Sequence, residues 1–315
     1  MVEGHVSSLL SHILFSINLI VTIFCITYIL KLVVCNEIYR ELVKKALIYS
    51  AILLFFSAVF SDELYAMGFN IPEKSIDTFR SGGLYAGGDV NGLASFYNMV
   101  TAFVLINLSH TKDKHRNQKY IILVFLAIAT FMTASRMGVS TFVILTVFYI
   151  FFVKRNFSVF FSSLLAISII LGIVYFTQTL MPEIMERFSD NSLMVELDKD
   201  QEGGRVYLWM YYLTYCFSSQ SVLFYGTTNK IAELTPHNFY IYSLYFNGII
   251  IVTFFLILMI LYFRMLSKLI NIVPILMLSV SLIISLMSLT SSHIIFVCCV
   301  VCSVLVAQSN KLKLK

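Results

Sequence analysis

Apolar runs of roughly 15 to 25 residues recur along the chain between short polar breaks, a length that fits the hydrocarbon core of a bilayer. Backbone polar groups in lipid must be paired internally, so such runs form α-helices or a closed barrel. A barrel strand needs alternating polarity, which these runs lack. Composition agrees: 59% of the 315 residues are apolar and 12% are charged, against about 25% charged in a typical soluble domain. The expected architecture is an all-α, polytopic transmembrane helical bundle, a single membrane-embedded domain over residues 1–315.

About nine spans are predicted: Leu9 to Leu30, Ala46 to Phe60, Leu93 to Leu108, Tyr120 to Ala134, Met137 to Val153, Phe157 to Leu180, Asn238 to Phe263, Leu269 to Leu289 and Ile294 to Ala307. No Lys or Arg precedes the first, so it lacks the basic region of a signal peptide and is expected to stay in the mature protein. If alternate breaks face the cytoplasm, the inner ones hold 15 of the 22 basic residues and, among the acids, only Glu37, Glu41 and Asp113. That asymmetry follows the positive-inside rule. It puts the tail inside, and it puts two polar segments outside: residues 61–92 and the large outer loop 181–237. Because the net charge of +5 is gathered on these inner breaks, it gives no reason to expect a nucleic-acid partner.

The six cysteines have no paired spacing on the outer loops and read as small apolar residues. The histidines also lack metal-ligand spacing, so neither a metal nor a cofactor is expected.

Chemistry concentrates in four places. Arg80 opens a run to Gly92 that packs five glycines around Asp89 and Asn91, just before a helix. Such a run lets a phosphate or sugar approach the backbone; equally, Asp89 or Asn91 serves as a helix cap. Arg136, in the run Ser135-Arg136-Met137-Gly138, stands between two apolar runs that are short for a 30 Å core. It either snorkels to the headgroups or waits, partly buried, for an anion. Gly203, Gly204 and Arg205 precede an aromatic run from Val206 to Phe217 that includes Trp209 and is too short to span; it reads as an interfacial helix. Arg205 falls in its first turn, where it either clamps a pyrophosphate or anchors the helix to headgroups. Finally, Thr235, Pro236, His237 and Asn238 read as a helix start, with Thr235 as cap and His237 and Asn238 in the first turn. At the positive end of a helix dipole His237 is held neutral, able to accept a proton, although a lone histidine is more often structural.

Taken in order, these motifs, with Leu244 and Gly248 after the last, resemble the O-antigen polymerase and O-antigen ligase superfamily. The resemblance implies a metal-independent, inverting membrane glycosyltransferase. Its substrate would be an undecaprenyl pyrophosphate-linked oligosaccharide at the outer face of the bacterial cytoplasmic membrane. By matching position, Arg136 and Arg205 would hold the pyrophosphate and His237 would activate the accepting hydroxyl. Arg80, Asp89, Asn91, Gly204, Trp209 and Asn238 would bind substrate. A polymerase is preferred over a ligase; a chain-length regulator protein is the candidate partner, and a transporter of the same lipid-linked sugar is the reading from another class.

Overall fold

The apolar runs leave their backbones one way to pair in lipid, and every regular element among the described residues is a helix. The computed structural model describes Tyr28 and residues 36–69, 83–85, 89–108, 116–150, 205–227, 238–268, 272–287 and 293–313. Three helices are long and apolar enough to cross a membrane: Glu37–Val59, Val90–Leu108 and Phe239–Arg264. The spans predicted at Leu9 to Leu30 and Phe157 to Leu180 lie outside the described residues, Tyr28 apart.

The helices fall into two compact units. One holds α1 (Glu37–Val59, from Ile38 on), α2 (Ser61–Ala66), α3 (Val90–Leu108), α4 (Arg116–Met132), α5 (Arg136–Phe148) and α9 (Ile272–Leu286, up to Ser285). The other holds α6 (Arg205–Ser218), α7 (Gln220–Tyr225), α8 (Phe239–Ser267) and α10 (His293–Lys313).

In the first unit α3 is the centre, buried along almost its whole length. It runs antiparallel to α4, tied at one end by Lys119 Nζ donating to the Asn107 carbonyl (3.1 Å) and at the other by Ser135 Oγ donating to Asn91 Oδ1 (2.9 Å). Polar residues repeat along α3 at Asn91, Ser95, Asn98 and Thr101, a helical spacing that lines one side. Asn98 Nδ2 donates to the Gly138 carbonyl on α5 (2.9 Å), the kind of polar contact that joins helices in lipid. On α1, Phe55 meets Phe125 of α4 edge to face with ring centres 4.9 Å apart. α4 and α5 are 17 and 13 residues long, about 26 and 20 Å, both shorter than a 30 Å core.

In the second unit, α6, α7 and the first part of α8 close over Tyr212, Cys216, Val222 and Tyr245. Tyr212 and Tyr245 pack edge to face at 4.8 Å. Burial pushes the Cys216 thiol up to about 11, so it stays protonated and inert. Cys216, Cys298, Cys299 and Cys302 are buried and unbridged.

The predicted span over Asn238 to Phe263 departs from a simple helix. α8 carries 29 residues, but its backbone leaves the helical region at Gly248, with φ 72° and ψ 169°. The Tyr245 carbonyl, which would serve the next turn of an unbroken helix, instead accepts the Thr227 N–H at 2.9 Å. The end of α7 is thus seated in the break. Beyond it, the piece from Ile249 to Ser267 runs about 28 Å, nearly enough alone for a hydrocarbon core. It exposes Ile250, Phe254, Ile260 and Leu261, a surface suited to lipid.

The start of α8 also differs from the reading with Thr235 as cap and Asn238 in the first turn. Asn238 is itself the cap: its Oδ1 accepts from the N–H groups of Tyr240 (3.0 Å) and Ile241 (3.3 Å). A carboxamide one residue before the helix satisfies two of the first-turn amides that have no partner within the helix; Thr235 lies outside the described residues. Asn238→Ala is expected to lower stability by about 1 kcal/mol, whereas Asn238→Asp keeps the cap and stays close to wild type. Thermal melts of the purified protein in nanodiscs check this; an alanine variant that melts with wild type would refute the cap.

Candidate functional site

The hairpin between α4 and α5 turns within Thr133 to Ser135, and all three turn residues are buried. Thr133 Oγ1 donates to the Thr130 carbonyl (2.7 Å) and accepts from the Ser135 N–H (3.3 Å). Ala134 takes the left-handed conformation at φ 48°. Ser135 then caps α5, its side-chain oxygen accepting the Gly138 N–H at 3.2 Å. Arg136, the first residue of α5, is partly buried.

The start of α3 meets this tip. Asp89 Oδ1 accepts the Asn91 N–H at 3.0 Å, so Asp89 caps α3 as the cap alternative proposed. Asn91 Oδ1 accepts the Ser135 hydroxyl, joining segments 44 residues apart in sequence. Tyr85 lies against Gly92, where an added Cβ would stand 2.6 Å from the ring, and near Phe96 at 6.1 Å between ring centres. Burial, with the Asp89 charge adding, pushes the Tyr85 phenol up to about 12, so it is a neutral hydroxyl throughout the physiological range. Two helix starts, a guanidinium and a carboxylate thus share one end of the unit. The amide dipoles and Arg136 favour an anion there, and Asp89 offsets part of that field.

Of the residues singled out from sequence, Asp89, Asn91 and Arg136 belong to this cluster. Arg205 and Trp209 lie on α6 in the other unit, Arg205 as its first helical residue and Trp209 one turn on, partly buried. Asn238 has its side-chain oxygen committed to the start of α8. Arg80, Gly204 and His237 lie outside the described residues, as does the Arg205 side chain. Among the described residues no three His, Cys, Asp or Glu gather as a metal site.

Sequence reasoning gave no role to Ser135 beside Arg136, and it passed over Tyr85 and Asn98. The polar repeat at Asn91, Ser95 and Asn98 on an otherwise apolar run is the available signal, since Asn91 and Asn98 both bond the start of α5, at Ser135 and at the Gly138 carbonyl. Comparison with protein-family models, with curated proteins and with solved structures returns no match for this chain.

Proposed function

We propose that the chain is a membrane glycosyltransferase that polymerises undecaprenyl pyrophosphate-linked oligosaccharide repeats into O-antigen or capsular polysaccharide. In this reading it has about nine spans and works at the outer face of the bacterial cytoplasmic membrane. The observation that carries it is the hydrogen bond between Ser135 and Asn91, which joins two of the motifs behind the sequence resemblance at the helix end where Arg136 begins.

The residue types suit the reaction. An acceptor hydroxyl oxygen attacks the anomeric carbon of the donor sugar, and the bond from that carbon to the pyrophosphate oxygen breaks with inversion. The pyrophosphate leaves with the bonding electrons, and an arginine neutralises the growing charge without a metal ion. The hydroxyl proton passes to a base, a role that suits a neutral histidine. The assignments of Arg205 and His237 rest on sequence, and Arg136 has the local support described above. A chain-length regulator remains a candidate partner.

The test is surface-polysaccharide length in cells lacking the gene, complemented with wild type, Arg136→Ala, Arg205→Ala or His237→Ala at matched protein levels. A polymerase gives a long ladder with wild type and a single repeat on the lipid core with the variants. Loss of all core-linked sugar while lipid-linked polymer accumulates outside would replace the polymerase with a ligase. Lipid-linked repeats trapped inside would replace the enzyme with a transporter.

A further inference from the structure

We infer that Asn91 is a positioning residue that aims Arg136 through Ser135, and not a group that touches the substrate; the inference rests on the reading of Arg136 as the pyrophosphate cation. A serine hydroxyl has one proton and two lone pairs, and a cap normally uses only the oxygen. Here the oxygen takes the Gly138 N–H (3.2 Å) and the proton is held by Asn91 Oδ1 (2.9 Å). The hydroxyl is therefore fixed in direction.

The Asn91 backbone is fixed in turn, because its main-chain N–H is held by Asp89 Oδ1 (3.0 Å). Hydrogen bonds to the Asn91 main chain and from its side chain thus link the cap of α3, through Ser135, to the first turn of α5. A second link, from Asn98 to the Gly138 carbonyl, pins the same turn from the same helix. Arg136 follows Ser135 directly, so the backbone that sets the direction of its Cα–Cβ bond lies between two residues held by α3. Meanwhile the carboxamide oxygen of Asn91 is used inside the protein. An arginine held this way needs little reordering to meet an anion, which is how a positioning residue raises affinity without contact.

The test uses the full chain in nanodiscs with farnesyl pyrophosphate as the probe. Binding is measured for wild type, Arg136→Ala, Asn91→Ala, Ser135→Ala, Ser135→Thr and the double variant Asn91→Ala/Arg136→Ala, with hydrogen exchange of the Gly138 amide read in parallel. Arg136→Ala is expected to weaken binding roughly tenfold, as for loss of a charged hydrogen bond. Asn91→Ala and Ser135→Ala should weaken it by a similar factor and speed Gly138 exchange, whereas Ser135→Thr keeps the hydroxyl and stays near wild type.

The double variant decides the matter: it should bind no worse than Arg136→Ala alone. Losses that multiply would show that Asn91 acts independently of Arg136 and would overturn the inference. If wild type and Arg136→Ala bind alike, or neither binds, the reading of Arg136 as the pyrophosphate cation fails. Gly138 exchange then judges the positioning separately: unchanged exchange in Asn91→Ala overturns it, and faster exchange upholds it.

Discussion

Replacing Gly248 by alanine is expected to destabilise the second unit by about 3 kcal/mol or more, enough to deplete folded protein from membranes. Its φ of 72° with ψ of 169° lies in a region open only to glycine. Space is closed as well: a Cβ there would run into the Phe224 carbonyl oxygen and stand 2.7 Å from the Gly226 nitrogen. Both are backbone atoms and cannot swing aside. One escape exists, in which alanine takes helical angles and heals α8. That would carry Phe239 to Asn247 away from α7, leave the Thr227 N–H without the Tyr245 carbonyl, and open the contact between Tyr212 and Tyr245. Either way the packing of α6 and α7 is lost. Melting in nanodiscs, with amide exchange across 220–227, measures it against Ile250→Ala, a change on the exposed side of α8. A Gly248→Ala protein with wild-type melting and protected α7 amides would refute the break.

The same glycine shows what the sequence could and could not reveal. Apolar length placed the helices well: Leu93 to Leu108 became Val90–Leu108, and the aromatic run Val206 to Phe217 became Arg205–Ser218. The first described span, predicted from Ala46, starts at Glu37 instead. Glu41 and Lys44 pair one turn apart there (2.6 Å), and charged residues of good helix propensity do not stop a helix. Gly248, by contrast, reads as one tolerated glycine in an apolar run. Its conformation is set by the end of α7 at Gly226, distant in sequence, and no local pattern carries that information. The site divides similarly. Caps at Asp89 and Ser135 follow from residue type before an apolar run, whereas the bond between Asn91 and Ser135 depends on the register of α3 against the α4–α5 hairpin. The role of Asn238 as cap was obscured by Thr235 and Pro236, which carry stronger start signals in sequence.

Register is where the second large effect is expected. Gly138→Ala should destabilise the first unit by about 2 kcal/mol, and Gly138→Leu by more, because small residues let membrane helices approach closely. An added Cβ at Gly138 would lie 2.6 Å from the Ala94 Cβ, an atom attached directly to the α3 backbone. Relief requires moving α5 off α3, which lengthens the Asn98 bond to the Gly138 carbonyl and the Asn91 bond to Ser135 together. A surface cause of destabilisation would not respond to a change on the facing helix. This one should: Ala94→Gly removes the opposing atom, so Ala94→Gly/Gly138→Ala is expected to recover most of the melting temperature lost by Gly138→Ala. Because the contact is shared, the two substitutions must be strongly non-additive. A double variant that melts at the sum of the two single losses would show that Ala94 and Gly138 do not meet. The α3–α5 register would then be wrong, and the placement of Arg136 beside Asn91 with it.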